Sequence, residues 1–431
     1  MKLNTPKNSN YAATVVKITN LKPLEGCDNV VATSIMGNQV IVSKDTKIDD
    51  VGLFFPVECK LSNEYLSHNN LYRHNDLNED KSKKGYFEDN GRIRCVKFRG
   101  HASEGLFMPI ISVEKYILDA LHVGEIFDEL NGVEICSKYV VEIKTPNITG
   151  RKVDKKYKSK LVENQFRFHE DTEQLYRNLF KLYPDHTISL TYKLHGTSVI
   201  SSKILCKKPL KWYEEVLKYL GVNIVDSHYD YVYASRKVIK NAELVETPGY
   251  YDVDIWGLAH NILKDHLQDG MTMYAEIVGY LPNGGAIQKD FDYGCAPNTF
   301  DVYVYRITYT NSSGKVFEFS AKQVQDYCKK VGLNPVPELY YGSAAVWYEL
   351  YSGKTLEADM NLDDWRLEML ELLKELYTNQ DCFMCNNKVP EEGLVYRIED
   401  LDLKAYKLKS TRFLEYETKQ LDKGNIDIES I

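Results

Sequence analysis

Lys193 is the residue whose sequence context most directly suggests covalent chemistry. The residues before it, Ile188, Leu190 and Tyr192, alternate as on a half-buried β-strand, and a second β-like run begins at Ser198. A lysine held between two strands can meet a bound phosphate, and its amine can attack phosphorus once it has lost its proton. A lone turn lysine is more often simply solvated, so the interpretation depends on its partners elsewhere in the chain.

Two further lysines and a glycine fit the same chemistry. Gly196 follows Lys193 by three residues and lets the backbone turn tightly and approach a ligand. Lys407 and Lys409 alternate on a predicted strand, so they point to one face, while Lys404 points to the other. Beside one phosphate, the two cations would stabilise the transition state and lower the pKa of Lys193. The alternative for an isolated K-x-K is a solvent-facing strand.

Six segments in chain order resemble the motifs of the covalent nucleotidyltransferases, which comprise DNA ligases, RNA ligases and mRNA capping enzymes. They are KLHG at 193–196, SRK at 235–237, YAEIVG at 274–279, Phe300 with the run to Tyr305, EGLV at 392–395 and YKLKS at 406–410. Each is weak alone, but six in the family's order are a strong signal. The histidine at the third place of the first motif points to RNA ligases, because DNA ligases and capping enzymes usually carry Asp there. The form KLHGTS and the N-terminal segment resemble the fifth RNA ligase family, which places an OB domain before the nucleotidyltransferase domain.

The resemblance implies a reaction and a role for each matching residue. Lys193 would attack the α-phosphate of ATP, pyrophosphate would leave in line, and AMP would pass to an RNA 5′-phosphate before a 3′-hydroxyl displaces it. Lys407 and Lys409 would contact the α-phosphate and complete the catalytic set with Lys193. Phe300 would stack on adenine, although a core aromatic is the ordinary alternative. The implied nucleotide-binding residues are Tyr192, Leu194, His195, Gly196, Arg236, Glu276, Phe300, Glu392, Lys407 and Lys409.

A divalent cation is also implied by the resemblance. Glu392 would help to hold it, directly or through water, and Glu276 is a second candidate that would act through water. Mg²⁺ or Mn²⁺ is expected, since carboxylate and water oxygens suit both ions. His195 could hydrogen-bond a metal-bound water or simply pack, and we do not assign it as a ligand.

The predicted function is that of an ATP-dependent RNA ligase. Its partner would be RNA with 3′-hydroxyl and 5′-phosphate ends, such as a nicked duplex, and a monomer is expected. A DNA ligase or capping guanylyltransferase is the enzymatic alternative, but both usually place the OB domain after the nucleotidyltransferase. A nucleic-acid-binding protein with an inactive transferase domain is the other alternative, and the joint presence of Lys193, Glu392, Lys407 and Lys409 opposes it.

Composition bounds the class of protein. The 431 residues suffice for two or three domains, and 43% hydrophobic with 27% charged residues is typical of an ordinary soluble protein. No apolar run approaches the ~20 residues of a membrane span, and the polar start at 1–10 lacks a signal-peptide core. A cytoplasmic location is therefore expected. With a net charge of −8, the chain must meet nucleic acid through local basic patches.

Nine cysteines are scattered along the chain, which suits reduced thiols better than a disulfide framework. Two of them, Cys382 and Cys385, form a lone C-x-x-C. A structural zinc site needs four ligands, and no further cysteine follows this pair. Two free thiols are the favoured interpretation, and a redox disulfide is the alternative.

The expected architecture is α+β. We predict an OB-like β-barrel over 1–146, a basic linker over 147–160, and a nucleotidyltransferase domain of antiparallel sheets with flanking helices over 161–431. In the barrel we expect strands at 12–19, 30–36, 39–43, 51–57 and 139–144, a hairpin turn at Gly37-Asn38, a helix at 112–121 and an irregular loop at 61–91. Because all six motifs follow residue 146, the barrel is expected to hold nucleic acid and not the nucleotide.

Basic and apolar side chains alternate between residues 92 and 100. A solvated strand face is the ordinary interpretation. The functional one is a barrel face that tracks phosphates, and the resemblance makes the two about equal. The predicted nucleic-acid-binding residues are Arg92, Arg94, Lys97 and Arg99.

The second domain is predicted to mix helices with strands. Helices are expected at 170–182, 209–221, 255–267, 321–331 and 363–377, and strands at 271–278, 301–310, 315–320, 393–398 and 403–408. The acidic tail from Leu414 is expected to form surface helix or coil.

Overall fold

The computed structural model describes residues 3–141, 160–169, 171–240, 251, 253–356 and 360–424. The predicted boundary at residue 146 and the basic linker lie outside these residues, except for the last linker residue, Lys160. Its Nζ forms an ion pair with Asp230 at 3.1 Å, so the start of the second domain is tied to that domain's own sheet.

The N-terminal part of the chain forms the predicted OB-like barrel from short antiparallel strands. Strand β1 lies between β5 and β10, β9 continues the sheet beyond β5, and β2, β3 and β4 form a second sheet. The strands are β1 (Ala13–Lys17), β2 (Lys22–Pro23), β3 (Val30–Ile35), β4 (Asn38–Ser43), β5 (Val51–Pro56), β6 (Cys59–Leu61), β7 (Val96–Phe98), β8 (His101–Ser103), β9 (Gly105–Pro109), β10 (Ile126–Phe127), β11 (Glu129–Leu130), β12 (Val133–Glu134) and β13 (Cys136–Lys138), with one helix, α1 (Asn63–His68).

The predicted hairpin between β3 and β4 is present, with its turn one residue earlier than expected. Ile35 pairs with Asn38, so the turn residues are Met36 and Gly37, with φ of 51° and 75°. A two-residue turn with positive φ at both positions matches the twist of the flanking strands.

Three predictions for the barrel are wrong. The supposed loop at 61–91 contains helix α1, whose Tyr65 and Leu66 are fully buried in the barrel core. The supposed helix at 112–121 is a 3₁₀ helix at Ile110–Tyr116. The last described strand of the barrel is β13, which begins three residues before the predicted start at residue 139; residues 139–141 are not in a strand, and 142–144 lie outside the described residues. Polar composition misled the first prediction, because most of the few apolar residues of 61–91 are placed inward, with Leu77 and Tyr86 as exposed exceptions.

The C-terminal part contains the predicted antiparallel sheets, which are two among the described residues, and each also has one parallel pair, β14 with β24 and β21 with β19. One has the order β14-β24-β23-β15-β22 and the other β17-β16-β18-β19-β20, with β21 added to β19. The strands are β14 (Glu173–Gln174), β15 (Thr187–Tyr192), β16 (Thr197–Lys207), β17 (Ser227–Ser235), β18 (Met271–Gly279), β19 (Phe300–Thr310), β20 (Val316–Glu318), β21 (Asn334–Pro335), β22 (Glu338–Ser343), β23 (Gly393–Ile398) and β24 (Lys404–Lys409). The helices are α2 (Trp212–Tyr219), α3 (Ile255–Leu263), α4 (Ala321–Val331), α5 (Ala344–Ser352), α6 (Leu362–Tyr377) and α7 (Thr411–Asp422).

Most predicted elements of this part are present, but the helix at 170–182 is not. The described residues of this segment form β14 and two short 3₁₀ turns. The Arg177 guanidinium donates to Ala12 O at 2.7 Å and to Thr14 Oγ1 at 2.8 Å, and Leu175 is fully buried. The segment thus has contacts both with the barrel and with the C-terminal sheet. An amphipathic helix needs one face in water, so these contacts exclude the helix that the local pattern predicts. Strand β22 and helix α5 were not predicted.

The acidic tail is also more deeply placed than predicted. Residues 414–422 of this tail belong to α7, which Ser410 caps by accepting a hydrogen bond from Phe413 N–H at 2.9 Å. The buried residues of α7 include Glu415 and Glu417, so the helix is an internal support and not a surface appendage. Among the described residues, no helix has the length and apolar character that a membrane crossing requires.

The barrel and the C-terminal part share a hydrophobic core. Val16 and Phe54 of the barrel belong to the same buried cluster as Trp347 of α5 and Trp365 of α6. Burying such aromatic side chains is among the larger contributions to stability. The barrel is therefore packed on helices α5 and α6 and on the sheet β14-β24-β23-β15-β22, and it is not merely tethered to the C-terminal part.

Candidate active site

A cavity of about 200 Å³ opens between the two C-terminal sheets and is closed on one side by the barrel. Most of the side chains that line it are charged or aromatic. They include Tyr11, Glu58, Lys138, His169, Lys193, Arg236, Glu276, Tyr305, Arg306, Glu392, Arg397, Lys407, Lys409 and Glu417. Because seven of these are cations and four are carboxylates, the cavity suits a multiply charged anion.

Lys193 lies at the end of β15, in the position that the sequence predicted. Its backbone N–H donates to Gly393 O at 2.9 Å, and its Nζ donates to Glu392 Oε1 at 2.6 Å. Gly196 is required by packing, because a Cβ there would lie 2.2 Å from Ile277 O. The KLHG segment at 193–196 and the EGLV segment at 392–395 thus meet through a direct contact between their charged side chains.

The predicted depression of the Lys193 pKa is wrong. Burial and the charge of Lys409 lower the pKa of Lys193, but the Glu392 carboxylate outweighs them and raises it above the ordinary lysine value. In this state Lys193 is an ammonium ion held by a carboxylate, and it cannot act as a nucleophile until that proton leaves.

Glu392 and its neighbour Glu391 are both almost fully buried, at 3% and 1% exposed. Glu392 Oε2 has no hydrogen-bond partner among the described residues. Burial raises the pKa of Glu391 to about 9, so this second carboxyl is neutral. This buried, unpartnered carboxylate oxygen of Glu392 beside an anion cavity fits a divalent cation. Among the described residues, no three His, Cys, Asp or Glu side chains are arranged to hold a metal by themselves, so water and substrate would supply the other ligands.

Glu276 holds the Lys193 turn in place. Its Oε1 accepts from Gly196 N–H at 3.1 Å and its Oε2 from Ser198 Oγ at 3.2 Å. Both oxygens are therefore engaged by the turn, so the predicted metal role of Glu276 has less support from the geometry than that of Glu392.

Lys407 and Lys409 share a strand face, as predicted, but they differ in environment. Lys409 Nζ forms ion pairs with Glu58 Oε1 at 2.8 Å and with Glu417 Oε2 at 3.2 Å, and these carboxylates overcome burial and raise its pKa. Lys407 is 8% exposed and makes no ion pair with a described residue. Burial, with Lys409 beside it, lowers the pKa of Lys407 to about 8. Lys404 is exposed and pairs with Asp400 on the opposite face.

The predicted adenine contact is misplaced. Phe300 is half-buried against the core between β18 and α3, and it is not among the residues that line the cavity. Tyr274 pairs with Arg306 and Ala275 with Val304, so Tyr305 is the extra residue of a β-bulge. The bulge brings Tyr305 and Arg306 to the cavity together.

His169 packs on Tyr305 edge-to-face, with ring centroids 5.3 Å apart. Burial lowers the pKa of His169 to about 3, so its ring is neutral, and its Nδ1 has no hydrogen-bond partner among the described residues. These two rings form an aromatic corner of the cavity that the sequence did not predict.

Other predicted nucleotide-binding residues lie at the cavity wall. His195 packs between Phe291 and Phe413, each 4.9 Å away and edge-to-face, which favours the packing alternative for this residue. Arg236 pairs with Asp171 and lines the cavity. Leu194 is buried.

The Tyr192 side chain contacts the segment that precedes Glu392 in the chain. Its hydroxyl accepts from Gln380 Nε2 at 3.2 Å, and its ring lies 4.7 Å from that of Phe383. Tyr192 therefore connects the Lys193 turn to the segment that precedes Glu392.

The barrel contributes to the cavity, contrary to expectation. Tyr11, Glu58 and Lys138 line it, and the Tyr11 hydroxyl donates to Glu58 Oε2 at 3.5 Å. Glu58 has a φ of 67° in the turn after β5, an unusual conformation for a non-glycine residue, which turns its side chain toward Lys409. None of the three belongs to a motif, so their place in the cavity could not be predicted from the sequence.

The predicted nucleic-acid-binding segment does not form a free basic face. Arg92 is 5% exposed and pairs with Asp422, and Arg94 reaches the same carboxylate at 3.4 Å. Lys97 pairs with Glu415 at 2.9 Å. Arg92 is therefore withdrawn from solvent, whereas Arg94 is half-buried and Lys97 is exposed, and carboxylates of α7 pair with all three. The predicted contact of these residues with nucleic acid remains a prediction.

The fourth residue of that set, Arg99, is exposed and donates to Gly26 O. Its predicted contact with nucleic acid remains a prediction.

The fold combines an N-terminal OB-fold domain with a C-terminal part that has the fold of a ligase nucleotidyltransferase domain, built from antiparallel sheets and helices. A family model described as an OB-fold domain matches residues 12–110. A comparison with curated proteins gives no match.

Structures of Naegleria gruberi RNA ligase match nearly the whole chain. The structure with PPi has a TM-score of 0.58 at 17% identity and covers 94% of this chain and 98% of that one. A mutant with ATP and Mn has a TM-score of 0.57 at 16% identity, over 96% and 99% of the two chains. A mutant with AMP and Mn has a TM-score of 0.56 at 16% identity, over 94% and 98%. At such identities the likeness establishes the fold.

Proposed function

We propose that this protein is an ATP-dependent RNA ligase that joins 3′-hydroxyl to 5′-phosphate ends through a lysine–AMP intermediate. The observation that carries the proposal is the contact between Lys193 and Glu392 at the head of a cationic cavity. A nucleophile, a carboxylate with an unused oxygen and an unpaired Lys407 lie within one cavity. The titles of the similar structures, RNA ligase with ATP, AMP or PPi, support the same class.

The chain's own residues would divide the work of the first step. Lys193 Nζ would attack the α-phosphate of ATP, forming an N–P bond as the bond to pyrophosphate breaks. Glu392 holds the Lys193 proton before the attack. Lys407 has no carboxylate partner among the described residues, so it is available to the phosphate, and a fixed cation there would stabilise the transition-state charge. Lys409, held by Glu58 and Glu417, would contribute its field from a fixed position.

The buried, unpartnered oxygen of Glu392 fits a Mg²⁺ or Mn²⁺ ion. Such an ion, when bound, would supply positive charge beside the α-phosphate and favour the neutral amine of Lys193. Glu276 would keep the turn in position through Gly196 and Ser198 during the step.

Recognition of the base is proposed for the aromatic corner and not for Phe300. The ring of Tyr305 faces the cavity beside His169, and stacking on an aromatic side chain is worth about 1–3 kcal/mol per base. The neutral His169 ring leaves its Nδ1 available to a base edge.

RNA is favoured over DNA as the substrate by domain order and by His195, and the rival functions remain a DNA ligase, a capping guanylyltransferase and a non-catalytic binder. We also propose, from the sequence, that the protein is a monomer and that it is located in the cytoplasm. The domain limits, 1–146 and 161–431, are likewise proposed.

Two assays test the function together. With labelled ATP and Mn²⁺ the chain should acquire a covalent AMP label, and nicked duplexes should be sealed when the 3′-hydroxyl strand is RNA. The matched control is the same nick with DNA in that strand. Equal sealing of both would favour a DNA ligase, and labelling with GTP alone would favour a capping enzyme. Absence of any label would leave only the binder.

A further inference from the structure

The C-x-x-C segment is not used by the proposed reaction, yet it contacts the site. Cys382 is 4% exposed, Cys385 is half-buried, and neither forms a disulfide. The ring of Phe383, between them, packs on Tyr192 at 4.7 Å, and Tyr192 precedes Lys193 in the chain. A change in this segment therefore reaches the nucleophile's turn through one side-chain contact.

The backbone already holds the two cysteines in a geometry that allows a disulfide. Cys385 N–H donates to Cys382 O at 3.3 Å, which closes a four-residue turn and brings the two Cα atoms within about 7 Å. A disulfide usually spans about 4.4–6.8 Å between Cα atoms. The turn is also anchored, because Cys382 N–H donates to Val389 O at 2.8 Å and the Asp292 carboxylate accepts from Asn387 N–H at 2.9 Å.

The two thiols are chemically unequal. A hydrogen bond from the Cys382 thiol lowers the pKa of Cys385. The same contact, together with burial, raises the pKa of Cys382 well above its ordinary value. Because the thiolate is the reactive form, Cys385 is the thiol that meets an oxidant first, and Cys382 lies behind it as the resolving thiol.

We propose that Cys382 and Cys385 form a reversible disulfide and that this oxidation slows nucleotide transfer to Lys193. The second part rests on the proposed ligase function. With hydrogen peroxide as the oxidant, Cys385 sulfur attacks one oxygen, the O–O bond breaks, and hydroxide leaves as water after taking a proton. Cys382 sulfur then attacks the Cys385 sulfenic acid, the S–O bond breaks, and the hydroxide leaves with the Cys382 proton as a second water. The two thiols lose two electrons and the peroxide gains them.

The same segment runs directly into the carboxylates of the site. Glu391 N–H donates to Gln380 O at 3.0 Å, and Gln380 Nε2 donates to the Tyr192 hydroxyl at 3.2 Å. Drawing the two sulfurs from contact distance to a bond of about 2.05 Å tightens the turn between these anchors. Phe383 and Gln380 both touch Tyr192, so the Lys193 turn is displaced from Glu392.

The test uses the full chain treated with hydrogen peroxide and then with dithiothreitol. Free thiols are alkylated, the protein is digested, and a cross-linked Cys382–Cys385 peptide is sought by mass spectrometry. AMP labelling is measured at each stage for the parent, for Cys385→Ser, and for Cys27→Ser as the matched control, a half-buried cysteine of the barrel. The parent and Cys27→Ser should lose most of their labelling rate on oxidation and regain it on reduction, while Cys385→Ser keeps its rate.

Three results would overturn the proposal. One is the absence of the 382–385 link under peroxide that oxidises other cysteines, or a link from Cys385 to Cys295, which belongs to the same cluster. Another is a link that forms without slowing labelling. The last is equal loss of rate in Cys385→Ser and the parent. If the reduced parent takes no label at all, the ligase function fails, while the peptide map still decides whether the disulfide forms.

Discussion

Two regions of this molecule carry lysines and arginines that the sequence assigned to phosphate, and the structure treats them oppositely. At the Lys193 turn, strands that are distant in sequence bring cations into a cavity, and Lys407 is left without a partner among the described residues. In the segment from Arg92 to Lys97, the cations meet Glu415 and Asp422 of α7. A run of basic side chains can pair with phosphate groups or with carboxylates of the same chain. Here the carboxylates lie more than 300 residues further along the chain.

The difference separates chemistry from architecture. Removing the Lys407 cation from the cavity should change the reaction and leave the fold intact, because no carboxylate of the described residues loses an ion pair with it, whereas Lys193 and Lys409 do have carboxylate partners. Removing one from the 92–97 segment should weaken the docking of α7 on the barrel. Substitutions in the two regions therefore test the comparison, and they should differ in the quantity that they change.

The largest effect is expected from Lys193→Ala. AMP labelling by ATP should vanish, because Lys193 is the only lysine of the described residues that forms an ion pair with Glu392. Joining of an RNA whose 5′ end is already adenylylated should partly survive, since that step needs no lysine nucleophile. Persistent labelling of this variant would remove Lys193 from its role.

Lys407→Ala should come next. Losing a charge-assisted donor in a water-poor site raises the barrier by about 2.7–4 kcal/mol, which slows labelling by roughly a hundredfold or more. The matched control is Lys404→Ala, three residues earlier on the opposite strand face and exposed. If the two variants label equally well, Lys407 is not a catalytic cation.

Arg92→Ala tests the other region. It leaves the partly buried Asp422 carboxylate without its main cation, so we expect the free energy of unfolding to fall by about 1–3 kcal/mol, with little change in AMP labelling per folded molecule. The control is Arg99→Ala, which should leave stability unchanged. A loss of nick binding with Arg92→Ala at full stability would restore this residue to the nucleic-acid surface.

The smallest effect concerns pH. Since the pKa of Lys407 is lowered to about 8, the free protein loses this charge as pH rises through 8, and the KM for ATP should then increase. A lowered folded-state pKa also means that protonation of Lys407 costs stability below pH 8. That cost disappears between pH 8 and the ordinary lysine value of about 10.4, where the free energy of unfolding should rise. Lys407→Arg, with a guanidinium that stays charged, should flatten the KM profile.

The sequence predicted the residues that a motif defines, and it failed where long-range contacts decide. The six motif segments identified the strands that build the cavity, and the alternation of β24 correctly separated Lys404 from Lys407. The β-bulge at Tyr305 was invisible, because strict alternation is the only rule that a strand sequence offers. Glu58 and Lys138 were missed because their roles depend on where the barrel packs.

The raised pKa of Lys193 is a failure of a different kind. The cations that would lower this pKa could be identified from the sequence, but the 2.6 Å contact with Glu392 outweighs their effect. Its sign could be known only from a distance between residues 199 positions apart. The same limit explains the basic segment, whose partners were assigned to a surface tail.

The most direct test of the account is to locate the AMP on the labelled protein. Two lysines of the cavity compete: Lys193 matches the motif but has a raised pKa, whereas Lys407 has a pKa near 8 and is more easily deprotonated. After labelling with ATP and Mn²⁺, the digested protein is sequenced by tandem mass spectrometry. The account predicts that AMP is bound to Nζ of Lys193 and to no other lysine. AMP on Lys407, with Lys193 unmodified, would contradict it.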